Sequence, residues 1–330
     1  MRFLIVSYAF VPSLGGQETA SLALAEELAR RGHAVDVVTH TPEGGTPDGS
    51  KPDLAFAVHH RPSPLKLLAL HRMADAVIHN GLSMRFFWPL LLVWRRWLVI
   101  YLLPGPPALL HRLALRLFAR VVAVSDYVAR QLPLKSRAIP NSYRTQLFGH
   151  TNTGPRRYEL AFLGRLVSDK GPMLLLQALV KLQAKGLRPS AVVIGSGQEE
   201  AALRSFAAEH DLPVEFVGAK RDGAVAELLN QARVLVVPSI WQEPFGIVAL
   251  EGIACGCVVI GSSGGGLPEA IGPCGITFPN GDADALADAI SRLLGDPALL
   301  QSLRDAAPVH LARHTPQAVV DAYLQVMSAD

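Results

Sequence analysis

The sequence has 330 residues, a formal net charge of +3 and hydrophobic residues at half of its positions. This length predicts two domains of about 150 residues each. Three cysteines, Cys255, Cys257 and Cys274, are an odd number without the spacing of a disulfide or metal framework, so we expect buried free thiols in a reducing compartment.

The first 32 residues predict a strand followed by a helix. RFLIVSY (2–8) is interpreted as a first strand rather than an export signal, because no small-residue cleavage site follows it. The run QETASLALAEELARR places Ala20, Leu24 and Leu28 on one helical face, and Gly32 predicts a left-handed cap at its end. Its charged residues fall on the other faces: Glu26, Glu27, Arg30 and Arg31.

Strand-like and helix-like runs then alternate to the end of the chain. The remaining strands of the first half are AVDVVTH, the apolar run after Asp75, WLVIYLL and RVVAVS; those of the second half are ELAFLGR, AVVIGSG, VEFVG, VLVVPS and CVVIGSS. Helices of the second half start near Gly171, Glu199, Asp222, Gly246 and Asp282. This alternation predicts an α/β fold of two Rossmann-like, doubly wound parallel sheets, with domains at 1–150 and 151–315 and a linker near 150–158.

The stretch EPFGIVALE (243–251) follows a strand and opens a helix near Gly246. The free amides of a first helical turn attract an anion such as a diphosphate. Glu243 and Glu251 would repel phosphate, so we expect them to accept hydrogen bonds from sugar or ribose hydroxyls. The stretch therefore predicts a nucleotide-sugar site.

The run PSIWQEPFGIVALEGIACGCVVIGSSGGGLPE closely resembles the nucleotide-sugar motif of the retaining glycosyltransferases of family four, which have the two-domain GT-B fold. FLGRLVSDKG is similar to the segment whose Arg and Lys bind the donor diphosphate, which implies Arg165 and Lys170. The resemblance covers nearly the whole chain, since VAVSDYVARQL and IPNSY are similar to the segments that close the first domain. It also implies that the last helix, at 316–330, packs back on the first domain.

The resemblance implies a role for each donor-site residue. Glu243 would hold the sugar hydroxyls and Glu251 the ribose, while Arg165 and Lys170 would stabilise the departing diphosphate, so that Glu243, Arg165 and Lys170 form the catalytic set. The backbone amides that would contact the donor belong to Phe245, Gly246, Ile247 and Val248. PSLGG resembles the glycine loop that approaches the donor phosphates, which implicates Gly15 and Gly16.

One position departs from the family pattern. Members commonly carry a histidine that faces the reacting sugar carbon, but this chain has Leu102, Leu103 and Pro104 there, and His111 lies further on. The main hypothesis is a retaining, metal-independent hexosyltransferase of glycan or glycoconjugate biosynthesis. The alternative is a non-catalytic or partner-dependent binder of sugar nucleotides. A nicotinamide oxidoreductase is disfavoured because AFVPSLGGQ does not fit G-x-G-x-x-G, and an epimerase because of the resemblance.

Other motifs have structural interpretations beside functional ones. Gly195, in GSGQEE, is a candidate for donor binding, although a tight strand-to-helix turn explains it equally well. Asp282 and Asp284 have the spacing of a metal-diphosphate motif, yet NGDADALADAI favours a capped helix start. His59-His60 lacks the spacing of metal ligands. We therefore expect no cofactor and no metal, only a nucleotide diphosphate sugar as donor.

The charge is unevenly distributed. Between Arg61 and Arg144, 13 Lys and Arg residues face only Asp75 and Asp126. Together with the aromatic and basic segment at 86–97, this favours either a packed helix and core strand or attachment to an anionic membrane through residues 61–144. No nucleic-acid module is visible. We expect a cytoplasmic protein, peripheral on the inner face of the membrane if the second interpretation holds, whose acceptor is a saccharide, a lipid-linked glycan or a small molecule.

Overall fold

The computed structural model describes residues 1–11, 15–44, 54–81, 83–93, 96–101, 115, 118, 120–152 and 154–328. The chain forms two compact units. The first comprises Met1–Tyr143 and His314–Asp330, and the second comprises Arg144–Arg313. Each unit is built on its own parallel sheet.

The described part of the first unit contains seven parallel strands in the order β3-β2-β1-β4-β5-β6-β7. The strands are β1 (Arg2–Ser7), β2 (Ala34–Thr39), β3 (Ala57–His60), β4 (Ala76–Asn80), β5 (Arg96–Tyr101), β6 (Arg120–Ala123) and β7 (Arg137–Ala138). The helices between them are α1 (Gly16–Arg30), α2 (Pro64–Met73), α3 (Met84–Phe87) and α4 (Asp126–Gln131). After β1 the chain adds β2 and β3 on one side, and then adds β4 and the following strands on the other side. The strand order therefore reverses between β1 and β4.

The second unit repeats this arrangement with six parallel strands among its described residues, in the order β10-β9-β8-β11-β12-β13. They are β8 (Tyr158–Leu163), β9 (Ala191–Ile194), β10 (Val214–Gly218), β11 (Ala232–Val237), β12 (Val258–Ser262) and β13 (Gly275–Phe278). The helices are α5 (Pro172–Ala184), α6 (Glu200–Glu209), α7 (Asp222–Asn230), α8 (Ile247–Ala254), α9 (Leu267–Ile271), α10 (Ala283–Gly295), α11 (Pro297–Asp305) and α12 (Ala307–Leu311). Here the strand order reverses between β8 and β11.

Alternating residues of the second sheet build one continuous core. Leu160 and Phe162 of β8 and Val234 and Val236 of β11 share a face, because side chains of a strand point alternately to opposite sides. They pack against the buried leucines of α5 and α10. Each fully buried side chain of this size contributes about 1.5–3 kcal/mol, which makes this core the rigid base of the adjacent loops.

A last helix, α13 (Pro316–Ser328), packs on α1 within the first unit. Arg31 joins the two helices, because it forms ion pairs with Asp321 of α13 at 2.5 Å and with Glu27 of α1 at 2.7 Å. Glu27 also pairs with Arg30, and its side chain is only 3% exposed. The helical pattern had placed Glu27 away from the apolar face, whereas it lies buried beneath two guanidinium groups.

The α/β class and the parallel sheets predicted from the alternation are confirmed. The predicted helix starts are also confirmed, and the side chain of Asp282 caps α10 by accepting from the amide of Ala285 at 2.9 Å. Gly32 has φ +80°, as a left-handed cap requires. The sequence analysis did not predict β3, β7 or β13, which have four, two and four residues and therefore little periodicity. All three cysteines are free and buried, as predicted.

None of the described helices is long and apolar enough to cross a bilayer. In the aromatic segment, Phe86 and Pro89 are buried, so these two residues belong to the interior of the first unit. Trp94 and Arg95 lie outside the described residues.

Candidate donor site in the second unit

The loop after β8 carries the two predicted phosphate-binding cations. Arg165 is exposed and lies 3.8 Å from Asp169. Lys170 ends a short 3-10 turn, and the chain then passes through Gly171 with φ +67° into α5. A side chain at Gly171 would clash with the carbonyl of Pro238, since a built Cβ lies 2.0 Å from its oxygen. The glycine therefore allows this loop to pack directly against the end of β11.

The loop after β11 carries Glu243, the predicted carboxylate, and the fold places it beside Lys170. Lys170 Nζ lies 2.5 Å from Glu243 Oε1, and Ser239 Oγ donates to the same oxygen at 2.7 Å. The side chains of Lys170 and Glu243 are 24% and 12% exposed. The loops after β8 and β11 thus meet where the strand order reverses, the position at which ligands bind in open parallel sheets.

The backbone around Glu243 is held by two further loops. The amide of Gly266 donates to the carbonyl of Glu243 at 2.7 Å, and the side chain of Asn280 donates to the carbonyls of Ser239 and Ile240. The Asn280 side-chain oxygen accepts from the amide of Gly264 at 2.7 Å. The sequence analysis missed Ser239 and Asn280, because nothing in the sequence indicates which loop residues converge on Glu243.

Helix α8 begins immediately after this loop. Phe245 is 2% exposed and anchors the turn, and Gly246 follows with φ +106°. A Cβ at Gly246 would lie 2.6 Å from a methyl carbon of Leu267. The amides of Gly246, Ile247 and Val248 belong to the first turn, where helix geometry supplies no intrahelical acceptor.

Glu251 lies one turn further along α8 and is partly buried. Burial raises the pKa of its carboxyl group to about 7, while the nearby Arg144 guanidinium acts in the opposite direction and the Asp222 carboxylate adds to the rise. Arg144 is itself paired with Asp222 at 2.7 Å. Among the described residues, none donates a hydrogen bond to the Glu251 side chain. A ligand hydroxyl is the kind of partner that this carboxyl group lacks.

Gly195 follows β9 with φ +151°, and a Cβ there would lie 1.8 Å from the carbonyl oxygen of Gly164. A Cβ at the neighbouring Gly197 would lie 2.3 Å from the carbonyl oxygen of Leu166. Backbone contact with the Arg165 loop therefore accounts for the glycine at position 195, and its predicted role in donor binding stays a prediction.

The predicted glycines of the first unit lie at the start of α1. Gly15 is the residue before the helix and Gly16 begins it. A Cβ at Gly15 would lie 2.5 Å from a carboxylate oxygen of Glu18, so Glu18 occupies the positive end of α1. Leu102, Leu103, Pro104 and His111, which bear on the missing histidine, lie outside the described residues.

The part of the chain that the structure describes contains no cluster of three or more His, Cys, Asp or Glu side chains that could hold a metal ion. The candidate site instead combines two cations, two carboxyl groups and the start of a helix. Such a set can bind a diphosphate and neighbouring hydroxyl groups.

Solved structures of similar fold cover nearly the whole chain. The Anabaena protein HepE in complex with UDP matches 99% of this chain and 100% of its own with a TM-score of 0.79 at 17% identity. The sucrose-phosphate synthase of Thermosynechococcus elongatus matches all of both chains with a TM-score of 0.78 at 24% identity. The fold is therefore that of the GT-B class, as the sequence analysis predicted.

Comparison with family models narrows the class. Residues 144–310 match the model described as glycosyl transferases group 1, and residues 14–142 match the model described as glycosyltransferase family 4. The chain therefore belongs to the glycosyl transferases group 1, and the match of its first part to the family 4 model confirms the resemblance stated from the sequence. A curated relative, the D-inositol 3-phosphate glycosyltransferase of Corynebacterium jeikeium, is 31% identical over 214 residues, which cover 62% of this chain. The aligned part spans about half the length of that relative.

Proposed function

We propose that this protein transfers a sugar from a nucleotide diphosphate sugar to an acceptor, in the biosynthesis of a glycan or glycoconjugate. The observation that carries the proposal is the contact between Lys170 and Glu243, at the strand-order reversal and beside the first turn of α8. Family membership and the UDP held by HepE, a protein of the same fold, support it.

The donor diphosphate would bind at the start of α8. The amides of Gly246, Ile247 and Val248 have no acceptor within the helix and can therefore donate to an anion. Arg165 adds a largely exposed guanidinium group. Lys170 is already paired with Glu243, so a bound diphosphate would share or replace that partner. The exchange would leave Glu243 free to accept hydrogen bonds from the sugar hydroxyls.

Glu251 would accept a hydrogen bond from a ribose hydroxyl. Donors favour the ionised carboxylate, so binding would lower the raised pKa of Glu251 and release a proton near pH 7. Calorimetry of a nucleoside diphosphate in two buffers of different ionisation enthalpy would measure this release. Affinity should increase between pH 6 and 8 by more than the ionisation of the ligand's terminal phosphate accounts for, and Glu251→Gln should remove this excess together with the proton release from Glu251.

We propose retention of anomeric configuration, as in the family that the motifs resemble, without a metal ion. A donor phosphate oxygen on the leaving-group face would take the acceptor hydroxyl proton while the new glycosidic bond forms on that face. The protein would supply orientation and stabilisation of the departing diphosphate by Arg165, Lys170 and the helix amides. The anomeric configuration of the product, measured by proton NMR before it can equilibrate, tests retention, and unchanged turnover after dialysis against a chelator tests metal independence.

The donor proposal is tested by calorimetric titration of UDP, GDP, ADP and TDP into the wild type and Glu251→Ala. We expect one diphosphate to bind selectively and the variant to bind it at least tenfold more weakly, since hydrogen bonds to charged groups contribute about 1.5–3 kcal/mol. Absence of binding by all four, or equal binding by the variant, would contradict the proposed site. Selective binding without turnover of any sugar donor would instead support a sugar-nucleotide binder without catalysis.

We also propose that the outer face of α2 contacts an anionic membrane. Leu67, Leu70 and His71 face the interior, whereas the solvent side of α2 and the adjoining 3-10 turn expose large apolar residues. Their exposed fractions are 82% for Leu65, 52% for Met73, 67% for Leu91 and 61% for Leu92. Exposed Lys66 and Arg72 flank this face, and α2 contains no acidic residue. An apolar face with cationic borders complements a negatively charged leaflet.

Co-sedimentation with phosphatidylglycerol vesicles and with phosphatidylcholine vesicles tests the membrane proposal. We expect binding to the anionic vesicles at low salt, weakened by the double variant Leu65→Ser and Leu91→Ser. Leu187→Ser, at an exposed leucine of the second unit, is the matched control and should bind as the wild type does. Equal sedimentation of all three proteins would refute the assignment to α2.

A further inference from the structure

The carboxyl edge of the first sheet carries a second group of polar residues, outside the donor site. Tyr8 follows β1, His40 follows β2, Arg61 follows β3, and Arg85 lies in α3 after β4. We call these four residues the edge cluster. In a parallel sheet, loops at the carboxyl ends of neighbouring strands lie side by side, and ligands bind there near the point where the strand order reverses. That point, between β1 and β4, lies within the cluster's span.

The edge cluster is organised around His40. Arg85 Nη1 lies 2.7 Å from His40 Nε2, and Arg61 Nε donates to the His40 carbonyl at 2.9 Å. The ring of Tyr8 packs edge-on against the imidazole, with centroids 5.2 Å apart and an interplanar angle of 62°. Because an arginine stays protonated, His40 accepts the hydrogen bond from Arg85 through an unprotonated Nε2. These contacts hold the Arg85 guanidinium group against the neutral imidazole and the Arg61 guanidinium group against the backbone carbonyl of the same residue.

The charge of the edge cluster is not neutralised within the described residues. No described carboxylate lies within ion-pair distance of Arg61 or Arg85, and both arginines are exposed. The pKa of His40 is lowered, and burial is the largest cause. The positive charges of Arg85 and Arg61 lower this pKa further. Each arginine uses one donor atom in the contacts above, so most of its N–H groups remain available to a ligand.

The backbone fixes Arg61 in an uncommon conformation. Its φ is +44°, and its amide donates to the carbonyl of Thr39 at 2.8 Å. A non-glycine residue in the left-handed region costs about 1–2 kcal/mol, so the surrounding structure holds Arg61 there at some expense. In this conformation the Arg61 side chain reaches the His40 carbonyl.

We infer that the edge cluster binds the phosphoryl group of the acceptor, and hence that the acceptor is a phosphate ester. Two guanidinium groups without a counter-ion among the described residues match the two charges of a phosphomonoester, and their planar forks pair with its oxygens. The exposed phenol of Tyr8 adds a neutral donor. The inference rests on the proposed transferase function, because only that function makes the first unit the acceptor side.

Calorimetric titration with inorganic phosphate and with glycerol 3-phosphate tests this inference. Both are titrated in the presence and absence of saturating nucleoside diphosphate, because phosphate held in the donor site is displaced by the nucleotide and phosphate on the edge cluster is not. We expect binding that persists with the nucleotide present and that weakens about tenfold or more in Arg61→Gln and in Arg85→Gln. Arg130→Gln removes one exposed charge from α4 of the same unit and should bind as the wild type does.

Tyr8→Phe keeps the aromatic ring and the charges of the edge cluster, so it separates loss of a ligand contact from loss of folding. This variant should weaken phosphate binding less than either arginine variant does. Vesicles of phosphatidic acid in phosphatidylcholine, compared with soluble glycerol 3-phosphate, distinguish a lipid headgroup from a free phosphate ester. Preference for either one supports the inference and names the source. Equal phosphate binding by wild type, Arg61→Gln and Arg85→Gln, or complete displacement by the nucleotide, would overturn it.

The two proposals fail separately. If a nucleoside diphosphate binds at the donor site and phosphate does not bind the edge cluster, the transferase function stands and the phosphorylated acceptor is rejected. If phosphate binds through Arg61 and Arg85 while no nucleotide binds, the anion site stands as such, but its assignment to an acceptor is rejected with the transferase function.

Discussion

Replacement of Glu251 by glutamine should stabilise the folded protein at alkaline pH. In the folded state burial raises the pKa of Glu251 from the ordinary 4.5 to about 7, so ionisation of this carboxyl group opposes folding. The unfolded chain releases the proton near pH 4.5 and the folded chain near pH 7. The cost is therefore absent below about pH 4.5, grows between these two values and is complete above pH 7.

The size of the cost follows from the difference between the two pKa values. A pKa difference of one corresponds to about 1.4 kcal/mol, so the difference here gives roughly 3 to 4 kcal/mol, which is an upper bound because the side chain is only partly buried. Glutamine has nearly the same shape and no charge, so Glu251→Gln should recover most of this free energy at pH 8.5. The gain should shrink to near zero at pH 4.5.

Urea unfolding of the wild type and the variant at pH 4.5, 6, 7 and 8.5 measures this difference. Glu227→Gln, at an exposed carboxylate of α7, is the control and should change stability little at any of these pH values. A free-energy difference for Glu251→Gln that does not vary with pH would refute the reasoning. It would show that the Glu251 carboxyl group is solvated in the folded protein and is not held at a cost in stability.

Three further predictions concern other contacts. Lys170→Met leaves the half-buried carboxylate of Glu243 without its cation. This variant should lower the free energy of unfolding, measured in urea at pH 8, by about 1–2 kcal/mol. An unchanged unfolding midpoint would mean that the pair is not formed in solution. Gly195→Ala should cost more than about 3 kcal/mol or prevent folding, whereas Gly295→Ala, with nothing within 4 Å, should stay within about 1 kcal/mol of wild type. Glu27→Gln should destabilise the protein by about 1–3 kcal/mol at pH 7, because hydrogen bonds from arginines lower the pKa of Glu27. The loss of stability should vanish as the pH falls through the lowered pKa of Glu27. A loss that persists in acid would exclude the ionic explanation.

The order of strands and helices could be predicted from the sequence because it depends on local periodicity. Runs such as VLVVPS and the capped start at Asp282 carry their signals within a few residues. The short strands β3, β7 and β13 were missed for the same reason, since two to four residues hold little periodicity. Glu27 shows the limit of the helical pattern, because its burial depends on Arg31 and on α13, which is distant in sequence.

The candidate donor site was predicted as a set of residue types and not as a set of contacts. EPFGIVALE and FLGRLVSDKG indicated that two carboxylates and two cations belong to one site. They did not indicate that Lys170 would pair with Glu243, that Ser239 would share the same carboxylate oxygen, or that no described residue would donate a hydrogen bond to Glu251. The roles of these residues toward a donor stay predictions until a ligand is bound.

By itself, the sequence determined the α/β class, the helix starts and the family, because these reside in short motifs and in the alternation of apolar runs. Only the tertiary structure decided which charges are neutralised. Lys170 and Glu243, distant in sequence, meet because the strand order reverses between β8 and β11. Arg61 and Arg85 come together at His40 without a described carboxylate, because parallel strands deliver their following loops to one edge. Charge pairing depends on distances of a few ångströms, which the sheet sets and the sequence spacing does not.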